Sequence, residues 1–148
     1  MEQKQVNIRV KKIKDIEFFV NEEVFIENPE EFALRFELKI NIKIEDNSVE
    51  LILSAIYSDK PQGNEFMKIK TSNIFLILEL AEFRKPDQNG YDIPDNLLIT
   101  LLSISISHTR ALLVKNSIGT KFADLYIPIV NPSDIFNQLF NKESKDSE

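Results

Sequence analysis

Several residue types that build reactive sites are missing or scarce in this chain. It has no cysteine, one histidine and three glycines. Without cysteine it can form neither a disulfide nor a thiolate-bound zinc site. One histidine excludes a multi-histidine metal site, and Gly63, Gly90 and Gly119 lie too far apart for a phosphate-binding loop. The sequence contains no acidic or nucleophilic residue that can be identified as a catalytic partner of His108. We therefore expect no metal, no cofactor and no enzymatic activity.

Acidic residues also outnumber basic residues. The chain has 24 acidic and 18 basic residues, a net charge of −6 and a pI near 4.9. Nucleic acid, whose phosphates require clusters of Lys and Arg, is a poor partner for such a chain. The N-terminus lacks the apolar core of a signal peptide, and no apolar run approaches the length of a membrane span. We expect a cytoplasmic protein with no membrane insertion.

What is present fits one folded domain. Hydrophobic residues make up 43% of the chain and charged residues 28%. A chain of this length can bury about 70% of its unfolded surface. We predict a single domain over residues 1–141 and a disordered polar tail over residues 142–148.

The N-terminal half predicts four strands, because apolar and polar residues alternate there. The first covers residues 6–20, with a bulge or bend near Ile13, and the others cover 32–45, 48–58 and 65–80, the last with a break at 71–73. A tight turn at Asp46-Asn47 would make the second and third strands a hairpin. That turn pairs Ile44 with Val49 and places Lys43 opposite Glu50.

The segment from Ile93 to Gly119 predicts one long helix. It has Pro94 at its front, no further proline, and glycine only at its end. Residues 103–107 alternate like a strand, but the run is far too long for one. One face is broadly apolar and includes Leu97 and Leu101. The opposite arc carries small residues, which predict contact with a second copy of the protein: Thr100, Ser103, Ser107 and Ala111.

The remaining segments predict connections and one further helix. Residues 83–91 form a polar crossover, residues 120–130 are irregular, and a short helix runs from Asn131 to Phe140. Asp87, Asn89 and Asp92 resemble a calcium loop, but Gly90 is misplaced and Leu98 stands where the bidentate glutamate belongs, so an ordinary loop is the better interpretation. Arg110 lies on an apolar helix, where we expect bonds to backbone carbonyls or a carboxylate rather than an anion site.

Phenylalanine is abundant, with eleven in the chain. Most must be core, but Phe25, Phe66 and Phe83 lie in or beside predicted loops. A soluble protein exposes apolar area there mainly for binding.

An ordered set of motifs resembles the SecB family of export chaperones. It comprises Ile93-Pro94, then His108-Thr109-Arg110, Gly119-Thr120, the segment from Ile127 to Pro132, and Ile135-Phe136. In the N-terminal half, residues 14–18 and 73–75 look like family strand motifs. The similarity covers roughly residues 5–140, and its specificity lies in the order of the motifs.

The resemblance implies an α+β fold: a four-stranded antiparallel sheet with a long helix and a short C-terminal helix on one face. It implies a dimer or a dimer of dimers (a homotetramer) with the long helices at its centre. It also implies an ATP-independent holdase that keeps client polypeptides unfolded for protein transport. By analogy the client groove is formed by Phe83, Tyr91, Leu97, Leu101, Phe136 and Phe140, although each of these residues also fits a plain core role.

Delivery to the secretion motor SecA is a further implication. The family contacts SecA through acidic residues on the outer sheet face, and Asp15 matches one such position. Phe19 and Ile69 stand where acids would be expected, and the tail shows no basic SecA-binding signature. Two alternatives to a general holdase remain: a chaperone dedicated to one client, such as an antitoxin, and an oligomeric interaction module without unfolded clients.

Overall fold

The computed structural model describes residues 6–24, 32–85 and 90–146, the last six by backbone alone. In chain order the elements are β1 (Ile8–Val20), β2 (Ala33–Lys43), β3 (Ser48–Ser58), β4 (Glu65–Ile77), α1 (Asp95–Ser117) and α2 (Pro132–Asp146). Single 3₁₀ turns occupy Ile44–Asp46 and Leu80–Phe83.

The four strands form one antiparallel sheet in the order β1-β4-β3-β2. Helix α1 packs over β1, β3 and β4, and α2 packs against α1 and β2. Both helices lie on the same face, since their buried side chains join one cluster with the strands. The predicted α+β fold is confirmed.

The core lies between the sheet and α1. Alternate residues of β3, among them Leu51 and Leu53, have no exposed surface and face Leu101 and Leu102 of the helix layer. Burying each such side chain contributes about 1.5–3 kcal/mol. The sheet face toward the helices is called the inner face below, and the opposite one the outer face.

The hairpin between β2 and β3 has the predicted faces but not the predicted register. Val49 pairs with Ile42 rather than Ile44, and Glu50 lies opposite Asn41 rather than Lys43. The chain reverses through a 3₁₀ turn and a left-handed Asn47 (φ 52°), which consume Ile44 as a turn residue. A shift of two residues keeps every side chain on its face, because the strand period is two.

Strand β4 is continuous, so the break expected at residues 71–73 is wrong. Thr71, Ser72 and Asn73 are buried in the middle of the sheet and bonded to groups around them. The strand ends at Ile77 rather than Leu80. Phe66, expected at a loop surface, is fully buried in β4.

The bend predicted in β1 is present as two irregularities. Its register against β4 shifts between Val10 and Lys12 and again between Asp15 and Glu17. Ile13 lies between them and stays partly exposed, as does Val10. Bulges and lysines on an edge strand discourage sheet-to-sheet aggregation.

Helix α1 agrees closely with its prediction. It begins directly after Pro94, and Gly119 just beyond its end adopts φ 84°, a conformation that favours glycine. By length and composition alone α1 could cross a membrane, which corrects the expectation that no apolar run is long enough. Leu101, Leu102 and Leu113 of this helix are instead fully buried against the sheet.

Helix α2 is longer than predicted. Its backbone is helical through Asp146, five residues into the segment for which we expected disorder. No proline or glycine follows Pro132, so the sequence contains no residue that would end the helix earlier.

Candidate functional site

A surface channel separates α1 from the chain segment that leads into α2. Its cavity is about 120 Å³ and is lined by Ser103, Ile106, Ser107, Arg110, Ile129, Val130 and Pro132. One wall is therefore helical, and the other is a stretch without regular secondary structure. The lining combines aliphatic side chains with small hydroxyls and one cation.

Arg110 holds the two walls together. Its Nε donates to the carbonyl oxygen of Ile127 at 2.7 Å, and its Nη2 donates to that of Pro128 at 2.8 Å. The expected role of Arg110 as a donor to backbone carbonyls is confirmed. Hydrogen bonds from a charged donor contribute about 1.5–3 kcal/mol each, so this anchor fixes the width of the channel.

The segment over residues 125–131, called the rim strand below, offers unused binding capacity. Ile129 is 96% exposed and Tyr126 is 56% exposed. Within the described part of the chain, the backbone amides of Tyr126, Ile129 and Val130 have no hydrogen-bond partner. A backbone segment with free donors beside a partly apolar channel can pair with an extended chain.

The residues predicted for the client groove divide into two sets. Leu97, Leu101 and Phe136 are buried in the core cluster. Phe83, Tyr91 and Phe140 are half-buried and pack against that cluster.

Two pairs among these six residues are held close to each other. The amide of Asp92 donates to the carbonyl of Phe83 at 2.7 Å, and Arg84 forms an isolated bridge with Tyr91. These bonds hold the two ends of the crossover side by side. On α2, the Phe136 and Phe140 rings lie 4.4 Å apart. None of the six residues lines the channel beside the rim strand.

The small residues predicted for an oligomer interface lie on the open side of α1. Thr100, Ser107 and Ala111 are exposed, and Ser103 is half-buried. The hydroxyls of Thr100 and Ser107 donate to the carbonyls of Asn96 and Ser103 within the helix. The arc thus presents small side chains whose donors are already satisfied, a surface that another helix can approach closely.

Asp15, the predicted motor contact, lies toward the helices. Its Oδ2 accepts a hydrogen bond of 2.7 Å from Asn116 of α1. Phe19 is on the outer face opposite Lys68, whereas Ile69 is buried in the core. The three positions therefore do not share one surface.

A buried polar cluster under α1 was not anticipated from the sequence. Asn73 Oδ1 lies 2.9 Å from His108 Nδ1, which donates to it, and Asn73 Nδ2 donates to Leu51 O and Thr71 Oγ1. Burial lowers the pKa of His108, so the ring is neutral. The sequence signal of this cluster is the polar run in β4, whose pattern predicts a strand break.

The described residues form no cluster of three or more metal-ligating side chains. Of the calcium-like positions, Asp87 and Asn89 lie outside the described residues, as does Phe25. No arrangement of nucleophile, base and orienting group surrounds the channel. The channel can bind, and the residues around it supply no catalytic group.

Comparisons with known proteins support the fold. No family model matches the sequence, and no curated protein is significantly similar. Among solved structures, the chain is similar to a Mycobacterium tuberculosis SecB-like chaperone determined in complex with an antitoxin peptide, with a TM-score of 0.53 and 11% identity. That match covers 83% of this chain and 90% of the other. A Streptococcus agalactiae protein of unknown function gives a TM-score of 0.40 at 10% identity, over 76% of this chain and 89% of that one.

Proposed function

We propose that the protein is an ATP-independent chaperone that holds unfolded polypeptides in an extended form. The observation that carries the proposal is the rim strand, where exposed apolar side chains and free backbone amides adjoin the channel along α1. The SecB-like fold supports it, because a protein of that fold has been solved with a bound peptide.

Binding would combine backbone and side-chain contacts. A client segment lying along the rim strand would accept hydrogen bonds from the amides of Tyr126 and Val130, since alternate residues of a paired chain direct their N–H groups to one side. Its apolar side chains would enter the channel. Burying one large apolar side chain contributes about 1.5–3 kcal/mol. Association costs about 4–15 kcal/mol, so several side chains must be buried at once. An unfolded chain supplies them in series, whereas a folded protein hides them.

The half-buried aromatic residues would extend this surface. Phe83, Tyr91 and Phe140 each retain some exposed area for a client. Leu97, Leu101 and Phe136 would contribute only after α1 or α2 moves away from the core. We therefore place the first contact at the rim strand and keep all six residues as the predicted extension of the groove.

A chaperone dedicated to one client is the second candidate. The Mycobacterium tuberculosis neighbour is complexed with an antitoxin peptide, and an antitoxin is the client class that we infer for this alternative. Assembly as a homo-oligomer, cytoplasmic localisation and delivery to SecA belong to the proposal as predictions from the family resemblance.

The test is suppression of aggregation, measured by light scattering with several unrelated unfolding substrates. We expect the protein to suppress scattering and Ile129→Asp to lose most of that effect. Leu78→Asp is the matched control, because Leu78 is also an exposed aliphatic residue but lies at the end of β4, away from the channel. Protection of many substrates supports a general holdase, and protection of one supports a dedicated chaperone. Failure with every substrate, including antitoxins, would overturn both.

A further inference from the structure

The outer face of the sheet is basic, although the chain as a whole is acidic. Strand register assigns eight cationic side chains and four carboxylates to this face, an excess of four positive charges on a chain of net charge −6. The cations are Arg9, Lys12, Lys14, Arg35, Lys39, Lys43, Lys68 and Lys70. No helix covers this face in the described part of the chain, since α1 and α2 both pack on the inner face.

Three of the four carboxylates on this face are already paired with Arg35 or hydrogen-bonded. Arg35 lies 2.7 Å from Glu65 and 3.5 Å from Glu37. Glu50 accepts hydrogen bonds from Ser72 and Asn41, and these bonds, with the nearby charges of Lys43 and Lys14, lower its pKa. The fourth carboxylate, Glu17, lies opposite Lys70 in the register.

The cations are mostly unpaired. Among the described residues the only ion pairs within 4.0 Å are those of Arg35, which leaves seven of the eight cations without a partner carboxylate. They form two rows, one on β2 and one across β1 and β4. Side chains on one face of a strand recur about every 6.6 Å, which is the separation of Lys12 from Lys14 and of Lys68 from Lys70.

The floor between these rows consists of small and aliphatic side chains. Ser54 and Ile56 of β3 point to the uncovered face, yet they are only 5% and 2% exposed. Their register neighbours include Arg35, Lys68 and Lys70, so the alkyl stems of these residues cover the floor while their charged ends reach solvent. Ile74 and Phe19 retain some exposed apolar area beside them.

We propose that the outer face is a docking surface for an acidic polypeptide segment that binds in an extended form with carboxylates at alternate positions. Such a segment repeats its charges at the spacing of the paired lysines, and its remaining side chains can contact the exposed apolar area of Phe19 and Ile74. This proposal is independent of client holding, which we place on the inner side of the sheet.

An acidic protein segment fits better than nucleic acid. Four carboxylates lie among the cations, and they would repel a uniform phosphate backbone. The net charge of −6 would also repel a long polyanion at a distance. A short segment with separate carboxylates can match the two rows and avoid the acids between them.

The test is binding of a fluorescent peptide of alternating Glu and Ser, measured by anisotropy at low salt. The full-length protein should bind it and should not bind the Gln-Ser analogue. The combined variant Lys12→Gln, Lys14→Gln and Lys70→Gln should weaken binding by about fivefold or more. A matched variant, Lys60→Gln, Lys85→Gln and Lys115→Gln, removes three exposed lysines elsewhere and should stay within about twofold of the original.

Three results would overturn the proposal: absence of peptide binding, equal losses in the two triple variants, or tighter binding of a fluorescent oligothymidylate of equal length. Suppression of aggregation should be unchanged in the outer-face variant. A loss of docking with holding intact, or the reverse, would separate the two functions.

Discussion

The side chain of Asn73 organises the polar groups beneath α1. It uses both amide hydrogens and its oxygen, contacting Leu51, Thr71 and His108 across two elements. Thr71 is bonded in turn to Thr109 of α1 at 2.8 Å. Such a cluster fixes where the helix sits on the sheet, because sliding it would leave buried polar groups unpaired.

Replacing this side chain tests that role. Asn73→Leu keeps the branching of the side chain at Cγ but leaves the carbonyl of Leu51 and the ring of His108 without their partner, so we expect a loss of about 2–3 kcal/mol in the free energy of unfolding. Urea denaturation followed by circular dichroism measures it. Asn137→Leu on the exposed side of α2 is the control and should change stability by less than about 0.5 kcal/mol. Equal effects at the two sites would show that Asn73 has no special role.

Because of His108, the stability of the fold depends on pH in a direction that can be derived. Burial lowers its folded pKa below the ordinary value of 6.5, so the unfolded chain takes up the proton first as the pH falls. The stabilisation is complete above pH about 6.5 and is lost as the pH falls toward the folded pKa. Because the chain has no other histidine, His108→Gln should remove the slope of stability just below pH about 6.5. The same slope in both proteins, measured by urea titration at several pH values, would contradict this assignment.

At the scale of elements, sequence periodicity predicted the features that depend on local pattern alone. Alternation assigned residues to the correct faces of β2 and β3, and an uninterrupted run identified α1 despite its strand-like centre. The exact register depended on turn geometry at Asn47, which no simple two-residue signal encodes. The polar middle of β4 looked like a break because its partners, His108 and Thr109, are more than thirty residues away.

The candidate site was less accessible to sequence analysis than the fold. The six groove residues rest on analogy with the family, and three of them, Leu97, Leu101 and Phe136, are buried in the core. The exposure of Ile129 could not be predicted, because residues 120–130 have no periodicity and their position depends on the Arg110 anchor. The small arc of α1, in contrast, could be predicted directly from the period of a helix.

The Arg110 anchor makes a prediction about the rim strand. Arg110→Met keeps the packing of the alkyl stem but removes both hydrogen bonds to the rim-strand carbonyls, so the segment should open locally. We expect faster cleavage within residues 125–131 by a nonspecific protease under native conditions, because an opened segment enters a protease active site more readily. Arg84→Met, on the exposed crossover, should be cleaved in this segment at the original rate. Unchanged cleavage in Arg110→Met would mean that other contacts hold the rim strand.

The whole molecule has two surfaces of different character on opposite sides of the sheet. On the helix side it presents the channel, the small arc of α1 and partly exposed apolar residues of β1 such as Val10 and Ile13. The outer side presents cations over an aliphatic floor. Self-association through the helix side would leave the outer side free for another partner.

That arrangement gives the last prediction, which concerns assembly. Ala111 is exposed at the C-terminal end of the small arc, with Ser107 one turn before it. A second helix can approach closely only over such small side chains, so Ala111→Arg should shift the protein toward monomer in analytical ultracentrifugation at micromolar concentration. Asn137→Arg places the same charge on the exposed side of α2 and should sediment like the original protein. If the original protein is itself a monomer under these conditions, α1 does not form the interface. The channel would then have to bind polypeptides from a single subunit, where the area available to bury each client is smaller.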